Sequence, residues 1–255
     1  MDNPPGIWVV RKVGNKCCDA RINRTSWYRA SVFILTYLAY TGYHLSRKPI
    51  SVVKNVLYQN CSGLIPPEGV GNNSNWCCWK PFDDVDAPAL LASLDSAFLF
   101  CYAGAMFVSG FIAERVNLRY FLALGMIFSG IASYLLGLTH SFNMHNLWFF
   151  IIAQAIGGIA QTTGWPGVVT CMGNWFGKGK RGLIMGVWNS HTSIGNILGS
   201  LIAGAYVEYN WGLSFYVPAI IMGSIGFLLF LFLIPDPTDI GCESPNYPAQ
   251  TVVNI

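Results

Sequence analysis

The sequence predicts an all-α membrane protein with six transmembrane helices. Of its 255 residues, 53% are hydrophobic and only 11% are charged, whereas a soluble domain carries about 25% charged residues. Long apolar runs occur six times, each close to the roughly 20 residues that a helix needs to cross about 30 Å of hydrocarbon. These spans must be helical because lipid cannot hydrogen-bond an open backbone. We place them at residues 27–46, 89–113, 119–138, 146–172, 182–206 and 212–234.

The basic residues predict the orientation of these spans. Lys and Arg are concentrated in residues 1–26 and in the connections after the second and fourth spans, and they are absent from the connections after the third and fifth. Because cytosolic loops carry the excess of positive charge, we expect residues 1–26 to form a cytosolic N-terminal segment and both termini to be cytosolic. The long loop at about 49–88 is then exofacial or lumenal.

That loop contains two candidate glycosylation sites. The Asn-x-Ser triplets begin at Asn60 and Asn72, and such triplets are acceptors for N-glycosylation. A third match, at Asn23, falls on the predicted cytosolic side and is expected to stay unmodified. Two sequons in the one large exofacial loop support the predicted topology.

Three cysteines lie in the same loop, in a compartment where disulfides can persist. We expect Cys61 to pair with Cys77 or Cys78. A zinc site is the alternative interpretation of the motif "WCCW". The loop offers no His at ligand spacing, so no metal site is predicted.

A charged loop connects the second and third spans. It reads "GFIAERVNLRY" and contains Gly110, Glu114, Arg115 and Arg119. Glycine permits close helix approach, and an acid and two bases at a helix junction can pair with each other and with the helix ends. A generic charged turn is the simpler alternative. The spacing resembles the cytosolic loop signature of the major facilitator superfamily.

The fourth span carries polar residues within an apolar run. Gln154, Gln161 and Trp165 are spaced seven and four residues apart, which predicts that they share one helix face. Amides and small residues also hold membrane helices together, and for Gly157 and Gly158 we favour that packing role. Gln161 and Trp165 remain candidates for a binding site.

The fifth span contains a histidine close to the bilayer midplane. His191 lies nine residues into the span, or about 13 to 14 Å at 1.5 Å per residue, with Asn189 nearby. An ionisable residue at that depth is a functional candidate; a neutral His bonded between helices is the alternative. Two glycine pairs are spaced for close helix packing: Gly182 with Gly186, and Gly195 with Gly199.

The first span ends in a pair of basic residues. Arg47 and Lys48 follow some twenty apolar residues, and they could be anchors that snorkel to the membrane surface. However, polar residues such as Tyr40 lie well inside the span, and a helix that continued past Pro49 would place Arg47 deeper. Proline interrupts polar stretches in both the first and the fourth span, and paired interruptions mark binding sites in transporters built from inverted repeats.

Long stretches of the chain resemble a known transporter family. These stretches are "YHLSRKPISVVKN", "QTTGWPGVVTCMGNWFGKGKRGLIMGVWNSHTSIGNILGSLIAG" and "WGLSFYVPAII". They resemble the vertebrate sugar-phosphate exchangers of solute carrier family 37, above all the glucose-6-phosphate/phosphate antiporters of the endoplasmic reticulum. The resemblance covers about residues 20 to 240. It implies the N-terminal six-helix bundle of the major facilitator superfamily fold, a 3+3 inverted repeat, acting as an organophosphate:inorganic phosphate antiporter by alternating access.

The resemblance also implies roles for individual residues. An Arg at the position of Arg47 binds the substrate phosphate, and Lys48, Tyr40 and His191 match other residues of the family's site. Guanidinium meets phosphate oxygens with two parallel hydrogen bonds, and a His near neutral pH can couple its protonation to the phosphate charge. The predicted substrate site therefore has seven members: Tyr40, Arg47, Lys48, Gln161, Trp165, Asn189 and His191.

Further expectations follow from the same resemblance. It favours Cys61 with Cys77 as the disulfide pair, and it implies a multi-pass protein of the endoplasmic reticulum membrane. The implied partners are a sugar phosphate, inorganic phosphate and the lipid bilayer, with no nucleic acid and no cofactor. No enzymatic activity is expected, because no span contains a metal motif, a nucleophile with a base, or paired carboxylates.

The sequence departs from the family in two respects. Bacterial members carry a Lys in the second helix where this chain has Met106, so its handling of substrate charge is expected to differ. The family has twelve spans, whereas six are predicted here; residues 235–255 look like the start of a central cytosolic linker, and the C-terminal half is absent. We therefore expect the chain to be inactive alone. Alternatively, it is a non-transporting interaction protein that dimerises or associates with a full-length transporter.

Overall fold

A computed structural model describes residues 4–7, 24–59, 65, 69, 76–177, 181–242 and 245. This part of the chain is helical and contains no β-strand, which confirms the predicted all-α class. The helices are α1 (Arg24–Leu57), α2 (Ala87–Ala113), α3 (Leu118–Ser141), α4 (Leu147–Gln161), α5 (Gly164–Trp175), α6 (Arg181–Trp188), α7 (His191–Asn210) and α8 (Leu213–Phe232), followed by a 3-10 turn at Pro237–Ile240.

Each of the six predicted spans overlaps one or two of the described helices. Helices α4 and α5 together form the fourth span, and α6 and α7 form the fifth. Within the described residues, four segments are long and apolar enough to cross a membrane: Ala87–Ala113, Leu118–Ser141, Leu147–Trp175 and Leu213–Phe232. The helices of the first and fifth predicted spans fall outside this set.

Helix α1 is longer than predicted. It continues through Pro49 to Leu57, so the predicted end at 46 and the predicted loop start at 49 are wrong. Proline removes the donor that would serve the carbonyl of Leu45, and membrane helices tolerate this where neighbouring helices compensate. The extension is also held by apolar packing, because Val53 and Leu57 are completely buried in a cluster with α2 and α4.

The breaks in the spans are not where the prolines predicted them. The first span is continuous through Pro49. The fourth span is broken at Thr162–Thr163, before Pro166, and the fifth span is broken at Asn189–Ser190. At the first break, the hydroxyl of Thr162 donates to the carbonyl of Ile159 at 2.7 Å and that of Thr163 to the carbonyl of Ala160 at 3.0 Å. Such side-chain bonds compete with the helical ladder, so the threonines, rather than Pro166, explain where α4 ends.

Two apolar clusters divide the interior, and α1 runs through both. Tyr40 and Tyr43 belong to a cluster with α5 and α8, whereas Ile50 and Val53 belong to a cluster with α2 and α4. The polar residues from His44 to Lys48 therefore lie between the two apolar clusters. This arrangement places the candidate site in the middle of the bundle.

The glycine pairs have different environments. A Cβ built on Gly195 or Gly199 would overlap the backbone of α1, and one on Gly158 would overlap the backbone of α2, so close helix packing at these glycines is confirmed. Gly182 and Gly186 have open space around them instead. The predicted packing role is therefore wrong for that pair within the described residues.

The charged loop between α2 and α3 does not form the predicted acid–base cluster. Gly110 has no neighbour within 4 Å of a built Cβ, so no close helix approach occurs there among the described residues. Arg115 donates to the carbonyl of Phe111 at 2.9 Å and lies 3.4 Å from the centroid of its ring. Arg119 is buried, and in the described part of the chain neither arginine forms an ion pair with Glu114.

The end of the predicted lumenal loop packs on the bundle through Trp79. Its indole nitrogen donates to the carbonyl of Met144 at 3.4 Å. Cys77 is disulfide-bonded, but Cys61, Asn60 and Asn72 lie outside the described residues. The Cys61–Cys77 pairing and both glycosylation sites therefore remain predictions.

Candidate functional site

Arg47 and Gln161, both predicted to be site residues, are in direct contact. The Nε of Arg47 donates to Oε1 of Gln161 at 2.6 Å, and the amide nitrogen of Gln161 donates to Oγ of Ser46 at 3.1 Å. Gln161 is the last residue of α4 and is buried. Because its amide is held at both ends, it keeps the guanidinium of Arg47 in one orientation.

Two aromatic rings of α2 complete the surroundings of this guanidinium. Its Cζ lies 5.5 Å from the ring centroid of Phe98 and 5.0 Å from that of Tyr102, within the range of cation–π attraction. In the described part of the chain, the two Nη groups of Arg47 have no hydrogen-bond partner. The arrangement therefore leaves the bidentate edge of the guanidinium available to an oxyanion. Neither ring was predicted as a site residue, although their four-residue spacing places them on one helix face.

Arg47 lines a cavity of about 250 Å³ inside the bundle. Residues of α1, α2, α3, α4 and α8 surround it, so every described span except the fifth contributes to its wall. Its polar lining includes Arg47, Asp95, Ser129, Ser133, Gln154 and Gln161. A cavity with such polar groups in its wall can hold water or a small polar ligand.

Asp95 is a member of this cavity that the sequence analysis missed. It lies within the apolar run of α2 and forms an ion pair with Nζ of Lys54, whose side chain is 19% exposed. An acid inside a transmembrane span is a functional candidate by default, so its position was a sufficient signal. Lys54 lies in the part of α1 that was predicted to be loop.

His191 belongs to a second group of residues, on the other side of α1. It is the first residue of α7 and is 1% exposed. Its ring centroid lies 4.8 Å from that of Tyr40, 4.2 Å from that of Trp188 and 5.4 Å from that of His44. Oγ1 of Thr192 is 3.3 Å from its Nδ1, and its Nε2 has no hydrogen-bond partner in the described part of the chain.

The predicted site is therefore split into two groups. Arg47 and Gln161 line the cavity, whereas Tyr40 and His191 form the aromatic group beside it. Of the three residues predicted to share one face, Gln154 and Gln161 line the cavity together, whereas Trp165 lies beyond the break after Gln161 and does not. Trp165 is 48% exposed and its ring lies 6.0 Å from that of Tyr40.

The remaining two predicted residues are peripheral. Lys48 packs beside α7, where a Cβ built on Gly199 would lie 2.9 Å from the Cβ of Lys48. Asn189 is exposed at the break between α6 and α7. Neither side chain forms a hydrogen bond with another predicted site residue among those the structure describes.

Comparisons with known proteins agree on one family. The family description "Major Facilitator Superfamily" matches residues 69–248. The chain is 54% identical over 235 residues to "Glucose-6-phosphate exchanger SLC37A2" of Xenopus tropicalis, covering 92% of this chain and 47% of the relative. It is 51% identical over 253 residues to the Homo sapiens protein of that name, covering 98% and 49%.

A second relative has a related name. The chain is 51% identical over 238 residues to "Glucose-6-phosphate exchanger SLC37A1" of Homo sapiens, covering 87% of this chain and 45% of the relative. The chain thus spans about half the length of the curated relatives it matches.

Proposed function

The chain belongs to the Major Facilitator Superfamily, and from that membership we propose that it forms the N-terminal six-helix bundle of a sugar-phosphate:inorganic phosphate antiporter. Transport follows the alternating-access mechanism, and glucose 6-phosphate is the proposed sugar phosphate. The names of the relatives, which are glucose-6-phosphate exchangers, support this substrate. The membrane is proposed to be that of the endoplasmic reticulum, with both termini in the cytosol.

One observation carries the proposal: the orientation of Arg47. A phosphate dianion that leaves water needs fixed positive charge, because burying an ion costs several kcal/mol even after relaxation. Gln161 accepts a hydrogen bond from Nε of the guanidinium, and the Nη edge of this cavity-lining residue has no hydrogen-bond partner among the described residues. That edge is suited to two parallel hydrogen bonds with phosphate oxygens, whereas an anchor at the membrane surface would extend towards water.

The second group of residues is assigned to the open side of the site. Tyr40 and His191 lie beside Trp165 and Asn189, and the latter two are exposed in the isolated chain. We assign these residues and Lys48 to a substrate path that a further bundle must cover. His191 would then contact the phosphate only when the further bundle has closed over the substrate path.

The 255-residue chain alone is proposed not to exchange phosphate. Among its described residues, Arg47 is the arginine that lines the cavity, and its relatives are about twice as long. A charge at the bilayer centre without a protein partner costs about 2.5–3.5 kcal/mol on insertion scales. Exchange and full stability should therefore require the half of the relatives that this chain does not match, or a second copy of the chain.

Reconstitution in phosphate-loaded proteoliposomes tests the proposal. The chain alone should not exchange labelled phosphate for glucose 6-phosphate, whereas co-expression with the unmatched half of the Xenopus relative should restore exchange. Arg47→Ala should then lower phosphate affinity at least about tenfold, because charged hydrogen bonds are worth about 1.5–3 kcal/mol. Arg47→Lys is the control that keeps the positive charge without the planar guanidinium. It should lose less phosphate affinity than Arg47→Ala.

Two results would contradict the proposal. Robust Arg47-dependent exchange by the chain alone would show that six helices suffice. Stable association with the complementary half without any exchange would favour the alternative, a non-transporting interaction protein.

A further inference from the structure

We propose that the cavity beside Arg47 is a subsite for the hydroxyl groups of a singly phosphorylated polyol, bound by Gln154 and Ser129. The inference rests on the proposed function, because it takes Arg47 as the ligand of the phosphate group. It adds the part of the bundle that distinguishes a sugar phosphate from inorganic phosphate. It also assigns a role to residues that the phosphate alone does not need.

Two polar residues of this cavity make no side-chain hydrogen bond to any residue that the structure describes. Ser129 is 2% exposed, and its Oγ has no hydrogen-bond partner in the described part of the chain. Gln154 is 7% exposed, and its amide likewise makes no hydrogen bond to any described residue. Both line the cavity. The amide of Gln154 is therefore available to a molecule in the cavity, and the hydroxyl of Ser129 is a buried group of the kind that is almost always hydrogen-bonded.

The chemistry of the lining favours a neutral hydroxylated ligand. An amide provides donors and an acceptor, and a serine hydroxyl both donates and accepts, which matches the mixed character of sugar hydroxyls. Asp95 lines the same cavity and can accept further hydrogen bonds. Buried apolar residues, including Leu136 and Phe215, contribute surface for the C–H faces of a sugar ring.

The charges of the lining exclude other classes of ligand. Arg47 disfavours a cation in the cavity, and the carboxylate of Asp95 disfavours a second anionic group. The ion pair with Lys54 offsets that carboxylate, so one phosphate on Arg47 remains acceptable. The cavity should therefore accept a monophosphate and discriminate against a sugar bisphosphate.

The size of the cavity agrees with a small ligand. Its volume is about 250 Å³, just below the roughly 300 Å³ at which small-molecule sites begin. Water molecules could instead fill the same space, because its wall offers several polar partners. Water alone is therefore the competing occupant, and the experiment must separate it from a polyol.

Ser129 and Ser133 form a matched pair for that experiment. Both lie on α3, both are buried and both line the cavity. The hydroxyl of Ser133 donates to the carbonyl of Phe215 at 3.1 Å, whereas that of Ser129 has no described partner. Ser133→Ala therefore removes a hydroxyl from the same wall without removing one that is available to a ligand.

The measurement is equilibrium binding of glucose 6-phosphate and of inorganic phosphate to the chain in lipid nanodiscs. Ser129→Ala and Gln154→Met should each weaken glucose 6-phosphate binding about three- to tenfold, the effect of one lost hydrogen bond. Phosphate binding should not change, and Ser133→Ala should leave the ratio of the two dissociation constants as it is. A thermal melt of each variant identifies folding damage, which would weaken both ligands together.

Each outcome bears on a different claim. The subsite is wrong, and the cavity holds only water, if the variants of Ser129 and Gln154 leave the ratio of the glucose 6-phosphate and phosphate dissociation constants unchanged. The same conclusion follows if Ser133→Ala raises this ratio as much as Ser129→Ala does. Phosphate binding without glucose 6-phosphate binding also overturns the subsite while Arg47 keeps its role. Glucose 6-phosphate binding that survives Arg47→Ala but is lost in Gln154→Met overturns the proposed role of Arg47 and supports the subsite.

Discussion

The contact between α7 and α1 can be tested by adding one methyl group at each of two glycines. A Cβ on Gly195 would lie 2.6 Å from the carbonyl oxygen of Thr41, and one on Gly199 would lie 2.5 Å from that of Leu45. Both obstacles are backbone atoms, which cannot rotate away as a side chain can. The double substitution of these glycines by alanine must therefore push the two helices apart.

The size of the effect follows from these distances. A carbon normally approaches a carbonyl oxygen to about 3.3–3.6 Å, so α7 must move away by roughly 1 Å. Overpacking costs about 1–3 kcal/mol at a site, and Ala in place of Gly returns about 1 kcal/mol of helix propensity. The double variant should therefore lose roughly 2 kcal/mol, which corresponds to about 4–8 °C in Tm for a chain of this size.

The assay is thermal unfolding of the purified chain in nanodiscs. Gly204→Ala is the matched control, because Gly204 lies on the same helix and a Cβ there has nothing within 4 Å. That control should melt at or slightly above the temperature of the unchanged chain. A double variant of Gly195 and Gly199 that melts no lower than the control would refute the close packing.

Two further predictions concern charge and topology. Lys54→Met leaves the carboxylate of Asp95 unpaired in the cavity of Arg47 and should weaken phosphate binding several-fold. Adding Asp95→Asn removes that carboxylate and should restore most of the binding. A double variant that binds phosphate as weakly as Lys54→Met would contradict the role of Lys54 in offsetting the charge of Asp95. Replacing both Asn60 and Asn72 by Gln should abolish any glycosidase-sensitive gel shift, whereas a shift that survives would overturn the predicted topology.

Much of the fold could be predicted because hydropathy is a local property. Each span is a sum over about twenty neighbouring residues, so the six segments were found without knowledge of their contacts. The end of α1 could not be found in this way. Residues 50–57 are helical because Val53 and Leu57 pack into a cluster with α2 and α4, and such packing depends on residues far away in the chain.

The site was predicted in part. The contact between Arg47 and Gln161 joins two residues that the sequence singled out, since polar side chains are rare and costly inside a membrane. Their separation from His191 could not be foreseen. Helical spacing predicts a common face only while the helix is continuous, and the break after Gln161 changes the face on which Trp165 lies.

The sequence by itself determined the class of protein and the kinds of side chain available for an anion. These depend on composition and on short-range periodicity, which need no partner. Only the tertiary structure decided which polar groups meet: it placed Arg47 in a cavity with Asp95, left Ser129 without a described partner, and positioned α7 against α1 through Gly199. The physical reason is that hydrogen bonds and close contacts depend on atomic distances between helices that are far apart in the chain. The hydrophobic pattern specifies which face of a helix is buried, but it does not specify which atoms of other helices that face contacts.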